Sequence, residues 1–238
     1  MGNRLLLGAG LALIGLLAVA SPASASTTCN GTLTGSYGSV VVPTWGSCTL
    51  SGATVTGGVT VNGGAYFEAS GTSVGGTVSA SGAVTVYMHD GSSVGGSVSL
   101  SQTAQLFLYG TPVGNNVVAV QSVKDYGSVQ VCGANIKGNL KVKSMGEDVL
   151  LGDADSAASC AGNTVGGSVY AINNNTWTEM VVSANKITGS LTANKNKGIG
   201  PKSVDHNLGG VALACSGNVL PFVGSPNFGF ATHSGQCS

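Results

Sequence analysis

The sequence has little charge, few aromatic side chains and almost no arginine. Charged residues make up 8% of its 238 residues, aromatic residues make up 5%, and Arg4 is the one arginine. Because nucleic-acid binding draws its affinity from clustered lysine and arginine, this composition argues against a nucleic-acid partner. No apolar run beyond residue 20 reaches the length of about 20 residues that a bilayer requires. We therefore expect no membrane span in the chain after that point.

The longest apolar run covers residues 5–20 and has the features of a secretory signal peptide. Arg4 precedes the run, and small residues ending in Ala-Ser-Ala at positions 23–25 follow it. A basic start, a short apolar stretch and a small-residue cleavage site are typical of export signals. An uncleaved anchor is the alternative, but the run is short for a bilayer of about 30 Å. We predict cleavage after Ala25 and a secreted, extracellular bacterial protein, with attachment to the cell envelope left open.

The chain repeats one short phrase about every twenty residues. A polar or small residue precedes Val, Ile or Leu, and a glycine and a second apolar residue usually follow, as in the SVGGSVSL of residues 93–100. The first apolar residues of the copies, at steps of 19, 20, 19, 23, 29, 22 and 21, are Val55, Val74, Val94, Val113, Ile136, Val165, Ile187 and Leu208. A period in this range indicates a stacked solenoid, whose units bury their apolar face only against neighbouring copies.

Each copy also alternates apolar and hydroxyl residues, as Val78, Ser79 and Ala80 do, and this alternation is typical of a strand with one buried face. The 39 glycines suit tight corners between such strands. The irregular spacing favours a right-handed helix, in which one corner varies in length, over a left-handed hexapeptide helix. We predict an all-β, single-domain, right-handed parallel β-helix of about eight coils over residues 51–217. Residues 26–50 and 218–238 lack the phrase and are predicted to be terminal caps.

Six cysteines in an exported chain predict disulfides, and the repeat narrows their pairing. Residues one coil apart stack at about 4.8 Å, which suits disulfide geometry. The first two cysteines are 19 residues apart and the last two are 22 apart, while the middle two precede the apolar residue of their copies by four and five positions. A metal site is disfavoured because no CxxC or HxxxH spacing occurs. The predicted disulfides are Cys29–Cys48, Cys132–Cys160 and Cys215–Cys237.

The glycine-punctuated Val-x-Gly-x-Val coils resemble two groups of β-helix proteins over most of residues 29–238. One group comprises small exported bacterial proteins of uncharacterised type, with an N-terminal cysteine pair like Cys29 and Cys48 and a final Gly-Gln-Cys like residues 235–237. The other comprises the bactofilins, intracellular right-handed β-helix proteins that polymerise end to end. The signal peptide and the cysteines depart from the bactofilin pattern. Disulfide-closed caps should block the end-to-end growth that this second resemblance implies.

Parallel β-helices often carry polysaccharide lyases and hydrolases, and glycosidic cleavage generally uses two carboxylates that face each other. Most acidic residues here are isolated on different coils, and nothing in the sequence points to a catalytic triad around the histidines. The longest coil contains one acidic group, a candidate cation site or acid–base pair. A solvated acidic loop is the favoured alternative, because the segment lacks the calcium-loop pattern. The group consists of Glu147, Asp148, Asp153 and Asp155.

A second candidate site lies on the early coils. If Val86 and Met88 point inward, the residues between and after them point outward, and the same alternation applies one coil later. The resulting row of rings is a candidate ligand-binding surface for sugars or a protein partner. A cross-coil aromatic ladder that only stabilises the sheet is the favoured alternative. The row contains Tyr87, His89, Phe107 and Tyr109.

These observations favour a secreted, non-enzymatic β-helix scaffold, acting as a structural or surface-interaction protein without a cofactor. Its expected partner is a cell-surface glycan or protein. The alternative is a carbohydrate-active enzyme or a glycan-binding module of the pectin-lyase-like β-helix type. The sequence gives no indication of the oligomeric state.

Overall fold

The computed structural model describes residues 26–121, 126–152, 160–220, 222 and 226–237. These residues form a parallel β-solenoid without an α-helix. The described part of the chain therefore has no helix of the length and apolarity needed to cross a membrane. The predicted signal peptide, together with Asp153 and Asp155 of the predicted acidic loop, lies outside the described residues.

The strands are short, with two to five residues each. In chain order they are β1 (Ser26–Thr28), β2 (Gly31–Leu33), β3 (Ser36–Tyr37), β4 (Ser39–Val42), β5 (Ser47–Ser51), β6 (Thr54–Val55), β7 (Val59–Val61), β8 (Tyr66–Ser70), β9 (Ser73–Val74), β10 (Val78–Ser81), β11 (Thr85–His89), β12 (Ser93–Val94), β13 (Val98–Ser101), β14 (Gln105–Tyr109), β15 (Val117–Val120), β16 (Ser128–Cys132), β17 (Asn135–Ile136), β18 (Leu140–Lys143), β19 (Val149–Leu151), β20 (Thr164–Val165), β21 (Val169–Ile172), β22 (Met180–Ser183), β23 (Lys186–Ile187), β24 (Leu191–Asn194), β25 (Lys202–Asp205), β26 (Leu208–Gly209), β27 (Ala212–Ser216) and β28 (Thr232–Gly235).

Three parallel sheets run along the solenoid, and each coil contributes one segment to each sheet. Sheet 1 has the order β1-β4-β7-β10-β13-β15-β18-β21-β24-β27-β28, and sheet 2 has the order β2-β5-β8-β11-β14-β16-β19-β22-β25. Sheet 3 consists of β3-β6-β9-β12 and β17-β20-β23-β26, which are joined by bridges from Val113 to Val94 and Ile136. The described residues thus form about ten coils.

Inward side chains of successive coils lie in register and form aliphatic columns. Val78 of sheet 1 pairs with Val59 and Val98, and all three are buried. In sheet 2, Val86 is stacked in the same way between its neighbours on β8 and β14. Burial of one such side chain contributes about 1.5–3 kcal/mol. A single coil has no second layer to cover these residues, so the stacking of coils creates the core.

The solenoid has about ten coils where the repeated phrase predicts about eight. Residues 26–50, predicted to be a cap, form β1 to β5 in register with the following coils, and Val40 pairs with Val59. In the predicted C-terminal cap, β28 extends sheet 1 by pairing with β27. The N-terminal segment lacks the glycine phrase but keeps alternating buried residues, such as Val40 and Val42, whereas all four residues of β28 are exposed. At the N-terminal end, strand alternation is therefore a better guide to the extent of the solenoid than the phrase.

Side-chain amides stack at the corner between sheets 2 and 3. The Asn163 amide donates to Asn185 Oδ1 at 2.9 Å, and the Asn185 amide donates to Asn207 Oδ1 at 2.9 Å. Asn207 in turn donates to Asn227 Oδ1 at 2.9 Å, so this amide ladder runs through four asparagines. A second ladder at the corner between sheets 1 and 2 consists of Asn174, Asn196, Asn218 and Gln236.

Hydroxyl groups occupy the equivalent corner in the early coils. The Thr72 hydroxyl accepts from the Ala53 amide at 3.4 Å and donates to the Leu50 carbonyl at 3.0 Å. Ser92 accepts from the Thr72 amide at 3.1 Å and donates to the Ala69 carbonyl at 2.9 Å. Buried backbone groups at a corner need such partners. The N-terminal coils obtain them from hydroxyls and the C-terminal coils from amides.

The amide ladder shifts the register of the last repeat copy. Ile187 pairs with Gly209, so Leu208, predicted as the inward residue of this copy, faces outward and is half exposed. The stacking of Asn185 on Asn207 requires this step of 22 residues. The Phe230 ring packs directly against Gly209, so a Cβ added to Gly209 would lie 1.8 Å from Phe230 Cε1.

All three disulfides join the cysteines that the coil spacing predicts. Their Cα–Cα distances are 5.4 Å, 4.8 Å and 5.5 Å for Cys29–Cys48, Cys132–Cys160 and Cys215–Cys237. The first and last disulfides lie near the two ends of the solenoid. The middle one holds the longest coil, whose residues 153–159 lie outside the described residues.

One charged side chain ends an inward column of sheet 2. Lys202 pairs with Met180 and is 1% exposed, and its Nζ donates to the Gly198 and Gly200 carbonyls at 2.9 and 3.0 Å. Burial lowers the pKa of Lys202. Its strand, β25, is the last strand of sheet 2. An inward charge at the end of a sheet discourages further strand addition.

Candidate functional site

The predicted row of rings lies on the outward face of sheet 2. Tyr87 pairs with Glu68 on one side and with Phe107 on the other, while His89 pairs with Ser70. Their neighbours Val86, Met88, Leu106 and Leu108 are buried. Strand alternation thus positions the four predicted residues, as the sequence indicated. Their role in ligand binding stays a prediction.

The rings contact one another across two coils. Tyr87 stacks on His89 with ring centroids 4.2 Å apart, and it meets Phe107 and Tyr109 edge-on at 6.0 and 5.8 Å. Phe107 and Tyr109 are parallel at 6.4 Å. Such pairs contribute about 0.5–1.5 kcal/mol each beyond area burial. This packing supports the interpretation of the row as a stabilising aromatic ladder.

Polar contacts also bind the row to neighbouring coils. The Tyr109 hydroxyl donates to Gln130 Oε1 on the next coil. Burial raises the pKa of Tyr109, and the neighbouring Tyr87 adds to this increase. A phenol held in this way is neutral over the physiological pH range. Tyr109 is thus held as a hydrogen-bond donor to the next coil.

His89 lies between two carboxylates. Its Nε2 lies 3.0 Å from Glu68 Oε1 and its Nδ1 lies 2.7 Å from Asp90 Oδ2. Ser70 donates to Asp90 Oδ2 at 2.9 Å, and this bond, with a smaller contribution from His89, lowers the pKa of Asp90. In a hydrolytic triad the imidazole lies between the serine and the carboxylate. Here Asp90 lies between Ser70 and His89, so His89 is not placed to take the proton of Ser70.

A shallow depression adjoins this cluster and was not predicted from the sequence. It has a volume of about 250 Å³ and is lined by Ser47, Thr49, Tyr66, Glu68, Thr85 and Tyr87. Tyr66 is 51% exposed and forms one wall. Tyr66 also stands at an outward strand position, but it shares no repeated aromatic spacing with the later coils. The alternation of Tyr66 with Phe67 is the sequence signal that could have identified this outward position.

Trp45 lies at the corner beside the depression, two residues before Ser47. Its indole is 80% exposed, and its backbone has a φ of 61°. The indole covers Gly64, where an added Cβ would lie 2.1 Å from the ring. A bulky residue at positive φ costs about 1–2 kcal/mol. The chain thus holds an exposed indole in a strained conformation at this corner.

The predicted acidic group is divided by a strand. Glu147 and Asp148 precede β19, whereas Asp153 and Asp155 follow it in the sequence and lie outside the described residues. Glu147 accepts from the Ser128 hydroxyl at 3.0 Å. No group of three His, Cys, Asp or Glu side chains suited to a metal ion occurs among the described residues. Lys141 and Lys143 stand on sheet 1, while Glu147 and Asp148 lead into sheet 2, so the two pairs belong to different sheets.

The two remaining histidines lie at the C-terminal end. His206 Nδ1 is 3.5 Å from Asp205 Oδ1, and the His233 ring meets Phe230 edge-on at 6.1 Å. Neither lies in the coils that carry the aromatic row. The chemistry that the described surface supports is therefore ring stacking and hydrogen bonding.

The fold and this face define a disulfide-linked parallel β-solenoid with an aromatic surface on its N-terminal half. Comparison with protein-family models, with curated proteins and with solved structures finds no significant match for the chain.

Proposed function

We propose that the chain is an exported, non-enzymatic scaffold that acts as a structural or surface-interaction protein. The observation that carries this proposal is the locking of neighbouring coils along the described length. Buried hydroxyls join the early coils, buried amides join the later ones, and disulfides secure both ends. Disulfides persist in oxidising compartments, which supports an extracellular location. Such a rod holds its surface side chains in fixed positions, as contact with a partner requires.

The positions of the carboxylates on the N-terminal coils support a non-enzymatic role. Glu68 and Asp90 are the only acids in residues 26–121, and both contact the same imidazole, that of His89. A glycosidase needs one protonated and one ionised carboxyl on opposite sides of the scissile bond. Two carboxylates that converge on one histidine do not have this arrangement.

Incubation of the purified protein with a panel of neutral and acidic polysaccharides tests this proposal. Reducing ends and unsaturated products are measured over a day, and we expect no release above the buffer blank. Turnover that disappears in Glu68→Gln or Asp90→Asn, with folding unchanged, would refute the non-enzymatic role. A matched control is Glu147→Gln, which alters an acid on a later coil.

The second candidate is a carbohydrate-active protein, and the depression beside Tyr66 favours it. Residues 26–121 contain no lysine or arginine. A pectin-lyase-like site acts on an anionic polymer and would need cationic groups at this face. A binding module for uncharged sugars fits the described surface better than a lyase does.

A further inference from the structure

We propose that the depression on sheet 2, together with Trp45 at the adjoining corner, is a binding site for a neutral pyranose unit of a glycan. Its volume of about 250 Å³ is below the roughly 300–1,000 Å³ of pockets that enclose a drug-sized ligand. A site of this size accommodates one sugar ring, with the rest of the polymer lying along the open face.

The exposed aromatic rings provide the apolar contact. Tyr66 and Trp45 are 51% and 80% exposed, whereas Tyr87, Phe107 and Tyr109 pack against one another. The Tyr66 amide donates to the Gly46 carbonyl at 2.9 Å, so the two exposed rings start from adjacent coils at the same corner. The C–H face of a pyranose packs on such rings.

Polar groups line the same depression. Glu68 Oε1 contacts His89, which leaves Oε2 to accept from a sugar hydroxyl, and the Glu68 side chain is 43% exposed. The hydroxyls of Ser47 and Thr49 lie at the wall opposite Thr85. Thr85 donates to Gln105 Oε1 at 2.9 Å, and its oxygen retains lone pairs for a ligand hydroxyl. A ring surface combined with a few fixed polar groups is the usual composition of a small-ligand site.

The local charge selects an uncharged sugar. Residues 26–121 carry Glu68 and Asp90 but no lysine or arginine, and the only basic side chain is His89, which contacts both carboxylates. Uronate or sulfate groups would meet these carboxylates without a cationic partner. We therefore expect the site to bind neutral glycans and to reject polygalacturonate.

Affinity electrophoresis tests this site with gels that contain soluble glucan, mannan, galactan, xylan or polygalacturonate. We expect at least one neutral polymer to retard the protein and polygalacturonate to have no effect. Tyr66→Ser, which matches Ser47 one coil earlier, and Trp45→Asn, which suits a positive φ, should each weaken binding about fivefold. Tyr66→Phe should bind nearly as the parent protein does. Trp177→Ala is the matched control, because Trp177 is an exposed indole on a later coil.

Glu68→Gln distinguishes stacking from charge selection. It keeps the shape of the side chain, and we expect weaker binding of the neutral polymer together with new tolerance of polygalacturonate. Circular dichroism and thermal melting confirm that each variant is folded. Retardation by no neutral polymer, or equal loss in Trp177→Ala and Trp45→Asn, would overturn the site. Cleavage of the polymer during the same runs would instead contradict the non-enzymatic role, so the two proposals fail separately.

Discussion

The amide ladder between sheets 2 and 3 makes a sharp prediction about the stability of the later coils. Asn185 accepts from the Asn163 backbone and side-chain amides at 3.1 and 2.9 Å. It donates to the Leu151 carbonyl at 2.6 Å and to Asn207 Oδ1 at 2.9 Å. Asn185→Ala removes all four bonds and leaves buried partners unsatisfied.

The expected loss follows from the number of bonds. Each buried hydrogen bond contributes about 1 kcal/mol net, so Asn185→Ala should lower the free energy of unfolding by about 4 kcal/mol. Asn139 provides a matched control, because it accepts from the Ser168 amide at 2.8 Å and donates to Asn116 Oδ1 at 3.2 Å but is exposed. Water replaces these partners in Asn139→Ala, so we expect a loss of about 0.5 kcal/mol.

A hydroxyl variant tests the same reasoning in the other direction. Thr72 uses one hydroxyl both to accept from a backbone amide and to donate to a carbonyl at this corner. Asn185→Thr should therefore recover about half of the stability that Asn185→Ala loses.

Urea unfolding followed by circular dichroism, with the disulfides intact, measures these differences. The comparison requires equal m-values, since a solenoid can unfold coil by coil. Losses that agree within about 1 kcal/mol for Asn185→Ala and Asn139→Ala would show that burial of the ladder is not what stabilises it.

Four further predictions concern other parts of the structure. Burial lowers the pKa of Lys202 in the folded state. The protein should therefore lose stability as the pH falls from about 10.4, the pKa of lysine in the unfolded chain, through the lowered folded value. Thermal melts at alkaline pH should show that Lys202→Met removes this dependence. The pKa of Tyr109 is raised, so its pH dependence is the opposite: stability should fall as the pH rises above about 10, and Tyr109→Phe should remove that loss. Identical profiles of stability against alkaline pH for the two variants and the parent protein would contradict both assignments. Replacing Cys132 and Cys160 by alanine opens a loop with a sequence separation of 28 residues and should reduce stability by about 3 kcal/mol in urea unfolding, whereas no change would show that the folded coil is strained by the bond. Gly209→Ala should lower the melting temperature because its Cβ meets the Phe230 ring, and Phe230→Leu in the same chain should restore part of the loss; an unaffected Gly209→Ala variant would show that the ring moves aside freely.

Much of the candidate face was predictable because strand alternation is a local property. The inward positions of Val86 and Met88 required Tyr87 and His89 to point outward, and the structure has them there. The depression beside Tyr66 was not predictable. It depends on a small Ser47 on the coil before Tyr66 and on Thr85 on the coil after it, and only the register between coils brings these residues to opposite sides of Tyr66.

The acidic group shows the limit of counting residues along the chain. Glu147, Asp148, Asp153 and Asp155 lie within nine positions and were taken together as one candidate cation site. Three of the residues between them form β19, whose pairing with β16 and β22 is a long-range property.

The sequence by itself determined the solenoid, the approximate length of a coil and the three disulfides, because a period near twenty residues allows an apolar face to be buried only by stacking. The tertiary structure decided the number of coils, the outward position of Leu208 and the depression beside Tyr66. These features depend on the register between neighbouring coils. In the last copy, the buried hydrogen bond between the side-chain amides of Asn185 and Asn207 sets that register. An unsatisfied buried amide costs about 1–3 kcal/mol. This hydrogen bond therefore prevails over the pairing of Ile187 with Leu208 that the repeat predicts.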